Sequence, residues 1–272
     1  MKTTAIIERL RVAPGKKARL ADWDPGDTLG FRKGNARQRL KANLERLAEL
    51  QFRLYAENRQ TLLVVLQAMD TGGKDGVVRH VFGPLNPQGC RVVPFKAPSA
   101  LELSHDFLWR IHAQAPRRGE IGVFNRSHYE DVLIARVRNL VPKKIWSKRF
   151  RHIDDFERML AENGTRIVKL FLHIGKDEQR KRLQTRQDDP NRHWKLDAAD
   201  FEERKRWDAY IEAYEDAIAR CNKPHAPWYI VPANRKWFRN LAVSEILVAT
   251  LEDMNPQFPA PNHDALRMTL ED

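Results

Sequence analysis

Thr61-Leu62-Leu63-Val64-Val65-Leu66 is a short, continuously apolar and partly β-branched run. A run without polar alternation fits a strand covered on both faces, the arrangement of a parallel sheet sandwiched between helices. The turn that follows it, Asp70-Thr71-Gly72-Gly73-Lys74-Asp75, is glycine-rich and charged. Further strands are expected at 91–95, 121–124, 166–172 and 228–231. Helical patterns fall near 75–82, 100–113, 128–139, 152–162, 176–186, 197–221 and 235–252. Strand and helix alternate, which predicts an α/β chain with a mainly parallel sheet and right-handed crossovers.

The rest of the chain is arranged around that core. Pro14, Gly15, Pro25, Gly26 and Gly30 lie among mixed charges, so the first 30 or so residues read as an extended arm that packs on a neighbour. From Asn35 to Asn58, Leu40, Leu44, Leu47, Leu50 and Leu54 recur every three or four residues, the stripe of an amphipathic helix docked on the sheet. We therefore divide the 272 residues into an arm and helix at 1–58, a core at 59–255 and a proline-bearing tail at 256–272. No internal repeat interrupts this order.

Composition narrows the partners. The formal charge of +12 favours a polyanion: a nucleic acid, an anionic membrane surface or a phosphate polymer. Cys90 and Cys221, the two cysteines, are far apart and lack metal-ligand or redox spacing, so neither a disulfide framework nor a zinc site is indicated. Nowhere do about 18 uninterrupted apolar residues occur, so no membrane span is expected and a cytoplasmic location is.

A loop that leaves a buried strand and opens a helix aims backbone N–H groups at an anion, and Gly72, Gly73 and Gly76 let the backbone come close. Lys74 would bring a mobile point charge to the terminal phosphates, with Thr71 in the same cradle. The stretch Ala68 to Asp75 lacks the first glycine of G-x-x-x-x-G-K-[ST] and has Asp where that pattern has a hydroxyl residue. Carboxylates here would repel a phosphate unless a cation intervened, so Asp70 points to Mg²⁺; Asp75 either joins it or caps the following helix.

A second constellation, Phe124-Asn125-Arg126-Ser127-His128-Tyr129-Glu130-Asp131, stands where the third expected strand ends. Ligands of open α/β sheets bind at the carboxyl ends of strands, so the two segments should face one crevice. Arg126 could stabilise a transferring phosphoryl group, Ser127 could donate to phosphate, His128 could do so or stand at a helix end, and Glu130 could reach the metal or be a surface acid on a helix turn.

At these residues the chain resembles the second polyphosphate kinase family, from about Thr61 to about Asn255. Asp70, Gly73, Lys74 and Asp75 match its first motif, and Phe124, Arg126 and Ser127 its second. The stretch Arg182 to Leu196, with Asp189-Pro190 and Trp194-Lys195, is similar to its mobile lid, here about 176–200. The resemblance implies a thymidylate-kinase-like P-loop core, a three-layer sandwich with a helical lid. It further implies AMP and ADP as acceptors, ATP among the products, reversible chemistry and a homo-oligomer, either dimer or tetramer. The commonest second motif has Asp after Phe and Asn near the position of Glu130. The exchange seen here, Asn125 and Glu130, resembles the class III subgroup, which phosphorylates both nucleoside mono- and diphosphates from polyphosphate. It implies a metal carboxylate at Glu130.

Cations exceed what one triphosphate requires: Lys74, Arg79, Lys96, Arg117, Arg118, Arg126, Lys181, Arg182 and Arg186 are spread over loops expected to converge. A long phosphate chain would use them, clamped by Arg117, Arg118, Arg182 and Arg186; the alternative for each, Arg79 and Lys181 above all, is a solvated surface cation. Trp194 and Trp207 read as packing residues. An ordinary ATP-dependent kinase is the first rival reading. The second, a nucleic-acid-binding module, lacks aromatics interleaved with the basic residues, and acids in the phosphate loop suit a duplex poorly, so no nucleic-acid partner is expected.

Overall fold

The computed structural model describes residues 3–15, 18–263 and 265–270; parts of the expected arm (1, 2, 16, 17) and tail (264, 271, 272) lie outside the described residues. Helices α1 (Thr3–Leu10) and α2 (Lys33–Glu57) precede strand β1 (Thr61–Ala68) and helix α3 (Lys74–Val77), which runs on as a π turn through Phe82. Then come β2 (Cys90–Pro94), short helices α4 (Ala100–Leu103) and α5 (Trp109–His112), β3 (Ile121–Asn125), and α6 (Ile134–Val137). The chain continues through α7 (Lys143–Glu162), β4 (Thr165–His173), α8 (Lys176–Asp188), α9 (Ala198–Lys205), α10 (Trp207–Cys221), β5 (Trp228–Pro232) and α11 (Lys236–Met254).

All five strands form one parallel sheet in the order β2-β3-β1-β4-β5. β1 is central and every one of its residues is buried, which is why its sequence shows no polar alternation. Helices α1, α2, α3 and α11 associate on one side, and α6, α7 and α10 on the other, giving three layers. Leaving β1 the chain crosses past β3 to reach β2, whereas leaving β3 it crosses past β1 to reach β4. The carboxyl ends of β1 and β3 therefore flank the point where the winding reverses, the place such sheets hold ligands.

Several expected elements change on folding. Residues 3–10 form a helix that buries Ile6 and Leu10 in the protein's own core. Beyond it Val12 N donates to Trp228 O at 2.9 Å and Arg11 bridges Tyr229, covering the edge of β5. The helix expected at 152–162 begins at Lys143, because Trp146, Phe150 and Ile153 already supply its buried stripe. The patterns at 100–113, 128–139 and 197–221 each break in two. Cys90 and Cys221 are free thiols.

Candidate phosphoryl-transfer site

The phosphate loop leaves β1 at Ala68 and enters α3 at Lys74. Gly72 N donates to Met69 O at 2.9 Å, Thr71 takes a left-handed φ of 63°, and Gly73 takes φ 103°. The close approach at the glycines is tight: a Cβ on Gly73 would stand 1.9 Å from Arg239 Nη1, and one on Gly76 2.6 Å from Arg239 Nη2. Thr71 Oγ1 is buried without a partner among the described residues, an orphan donor inside the cradle. Lys74 Nζ donates to Ala68 O at 3.1 Å. Burial, followed by the charge of Arg126, pulls the Lys74 ammonium below its usual range.

The second segment follows β3, whose Asn125 pairs in register with Leu66 of β1. Arg126 N donates to Leu66 O at 3.1 Å, extending that pairing, and its φ of 63° turns the side chain to meet Asp70 Oδ1 at 3.1 Å. Asn125 Nδ2 donates to Asp75 Oδ1 at 2.9 Å, so Asp75, in the first turn of α3, ties the two segments together. Burial lowers the Arg126 guanidinium, but the Glu130 and Asp70 carboxylates outweigh it and the net shift is upward. For Glu130 burial pushes the carboxyl up, and Arg126, Lys74 and Gln67 only partly offset this. Asp70, Lys74, Arg126 and Glu130 thus act on one another at the carboxyl ends of β1 and β3.

Ser127 and His128 do not face the crevice. Ser127 is wholly buried; its Oγ caps the turn by accepting from Tyr129 N at 3.2 Å and takes Gln67 Nε2 at 3.1 Å. Of the two roles expected for His128, the structure shows the helix-end one: it opens the turn His128–Asp131, and its ring is fully buried with Nε2 3.1 Å from Glu157 Oε1. Tyr129 OH donates to the same oxygen at 2.9 Å, and Lys169 Nζ donates to Glu157 Oε2 at 2.5 Å. Two consecutive side chains are pinned under the motif by one buried carboxylate.

The expected polyphosphate cations divide. Arg79, Lys96 and Lys181 are exposed, Lys96 just past the carboxyl end of β2. Arg182 is a brace instead of a free clamp: it donates to Thr71 O at 2.9 Å, Ala233 O at 2.6 Å and Asn234 O at 3.1 Å, and pairs with Glu178. Arg186 bonds Lys195 O at 3.2 Å and Asp200 at 3.1 Å, holding the segment after α8. Arg117 and Arg118 stand at the other end of the sheet, because the residues before a strand lie at its amino edge. Gly119 N donates to Gln60 O at 2.8 Å there, about 25 Å of β1 away from the phosphate loop. Trp207 is buried as expected, but Trp194 is 78% exposed.

Sequence reasoning missed Arg239, Gln67 and Gln179, whose Nε2 donates to Asp70 O at 3.0 Å. Arg239 carries a readable signal, being a lone arginine within the apolar pattern of the last helix. No such signal marks Gln67 or Gln179, which matter through contacts across the sheet.

The family model for polyphosphate kinase 2 matches residues 31–259. The chain belongs to the polyphosphate kinase 2 family. It is 52% identical to the AMP/ADP-polyphosphate phosphotransferase of Meiothermus ruber over 97% of this chain and 100% of that one. It is 47% identical to the ADP-polyphosphate phosphotransferase of Rhodopseudomonas palustris over 93% and 92% of the two. The crystal structure of polyphosphate kinase 2 from Arthrobacter aurescens TC1 superposes with a TM-score of 0.92 at 46% identity, covering 96% of this chain and 95% of that chain. Membership in polyphosphate kinase 2 disfavours both rival readings.

The carboxylates at this polyphosphate kinase 2 site, Asp70 and Glu130, offer oxygen ligands, which suit a hard cation. Among the described residues no group of three or more His, Cys, Asp or Glu could enclose a metal. Asp70 and Glu130 fit Mg²⁺, which commonly takes one or two carboxylates and completes its shell from substrate phosphates and water.

Proposed function

We propose that this polyphosphate kinase 2 chain transfers the terminal phosphoryl group of inorganic polyphosphate to AMP and ADP, forming ADP and ATP, reversibly and with Mg²⁺. The observation that carries the reading is the meeting of Lys74 and Arg126 with Asp70 and Glu130 where β1 and β3 end. In the forward direction the terminal P–O bond of the polymer breaks and a P–O bond to the acceptor's phosphate oxygen forms, with the shortened polymer leaving as an anion. The acceptor is already an anion, so no strong base is required; catalysis is in-line positioning and charge neutralisation. Lys74 and the loop amides orient phosphate oxygens, and Arg126 gathers charge on the transferring group. Asp70 and Glu130 would hold Mg²⁺, which would supply neutralisation of the phosphate charge. Arg79, Lys96 and Lys181 lead the polymer toward the loop.

Asn125 and Glu130 support the acceptor range of class III. Nucleotide substrates agree with a cytoplasmic location, and among the described residues no helix is long and apolar enough to cross a membrane. Exposed Phe52, Leu101, Leu103 and Trp109 favour a homo-oligomer, which light scattering would test.

The deciding assay supplies long-chain polyphosphate, Mg²⁺ and either AMP or ADP, with an EDTA control. Product from both acceptors is expected. Product from ADP alone overturns the class III assignment, and phosphorylation driven only by ATP overturns the polyphosphate donor.

A further inference from the structure

Arg239 sits in the first turns of α11, only 2% exposed, among the most buried large side chains of the protein. Its Nε and Nη2 donate to Asn240 Oδ1 at 3.1 and 2.8 Å. No carboxylate among the described residues pairs with it, and the charge that acts on it is another cation, Arg182. Lys236, one turn earlier, feels Arg182, Arg192 and Arg239 as like charges. Arg182 and Arg192 form ion pairs with Glu178 and Asp189, whereas among the described residues neither Lys236 nor Arg239 forms one, although Lys236 feels the charge of Glu178.

A buried, uncompensated guanidinium is costly, and a chain that needed only volume here could use an apolar residue. The position of the charge explains its retention. Nη1 and Nη2 press on Gly73 and Gly76, which is why a Cβ at either glycine would collide with them. Burial, with Arg182 beside it, pulls the guanidinium down to about 10, the expected response of a cation lacking its counter-ion.

We propose that Arg239 is a positioning residue for phosphate binding: from beneath Gly73 and Gly76 its charge is completed by the phosphoryl oxygens that the loop holds, so the substrate is its missing counter-ion. The inference rests on the loop binding phosphate as proposed above.

The test uses the full chain and tripolyphosphate as probe, at constant ionic strength, following the thermal shift and the KM for polyphosphate. Arg239→Met, without ligand, should melt at or above the parent temperature, because replacing an unpaired buried charge with an apolar side chain is often neutral or stabilising. Its half-saturating tripolyphosphate concentration and KM should rise about tenfold, the size of one lost charged interaction, and Arg239→Lys should recover most of that rise. Unchanged half-saturation in Arg239→Met, or a rise that lysine does not recover, overturns the inference. A shift lost in Lys74→Ala but intact in Arg239→Met leaves the phosphate loop standing and removes Arg239 alone. No shift in the parent chain removes both. Should Arg239→Met not fold, Arg239→Gln against Arg239→Lys carries the same comparison.

Discussion

At the scale of single residues, the proposed function divides the charges into those that meet a ligand and those that hold the residues that do. Lys74 is proposed for the first kind. Lys74→Ala should keep its melting temperature and lose about 10²–10³ in kcat, the usual effect of deleting one preorganised cation or donor at a transfer site. Near-parental turnover would remove the lysine from the mechanism. Glu157 belongs to the second kind: wholly buried, it takes Lys169 Nζ and Tyr129 OH and lies against His128. Burial would raise its pKa, but the charges and hydrogen bonds of Lys169 and His128 outweigh this and hold it below the ordinary carboxylate value. A depressed folded-state pKa contributes stability above the unfolded value of about 4.5 that is lost as pH falls through the folded one. The stability difference between the parent and Glu157→Gln, from urea melts, should therefore shrink as pH drops below about 4.5. Glu157→Ala at neutral pH should cost about 3–5 kcal/mol, since it strands Lys169 in the core.

At the scale of elements, the phosphate loop is built by its neighbours as much as by its own sequence. Gly73 combines φ 103° with a guanidinium 1.9 Å from where a Cβ would stand. Gly73→Ala should lose about 2 kcal/mol or more in denaturant melts, together with phosphate-induced stabilisation. From the other side, α8 holds the loop through Gln179 on Asp70 O and Arg182 on Thr71 O. Arg182 also reaches Ala233 O and Asn234 O beyond β5, so one side chain joins loop, helix and strand end. Arg182→Ala should lower stability by about 2 kcal/mol and speed amide exchange in the loop. A raised KM for polyphosphate with unchanged stability and exchange would restore the direct clamp expected from the sequence.

At the scale of the whole molecule, the parallel sheet sorts cations by which end of a strand they stand at. Arg79, Lys96 and Lys181 are exposed and are the cations proposed to meet the polymer, whereas Arg117 and Arg118 are at the amino edge. The triple alanine variant of the first set should raise KM for long polyphosphate by about threefold or more while affecting tripolyphosphate little, as loss of long-range attraction does. Arg117→Ala with Arg118→Ala should leave both unchanged. The reverse pattern would mean that the polymer runs across the opposite edge.

The sequence by itself determined the strand that anchors the sheet and the loop that follows it, because an unbroken apolar run, three glycines and a lysine are local chemistry. Every strand and the alternation with helices were legible for the same reason, each strand being short, apolar and bounded by breakers. Asp70, Lys74, Arg126 and Glu130 were legible as charges at strand ends. Tertiary structure alone decided what those charges meet. Arg117 and Arg182 read as cations like any other until sheet direction put one at the far edge and hydrogen bonds bound the other to backbone carbonyls. His128 read as a donor beside the crevice or a helix-end residue until Glu157, 29 residues later, drew its ring into the core. The arm became a core-packed helix because α11 offered a face to pack on and β5 an edge for the next two residues to cover. Such outcomes depend on the partner across the fold, and spacing along the chain carries no record of it.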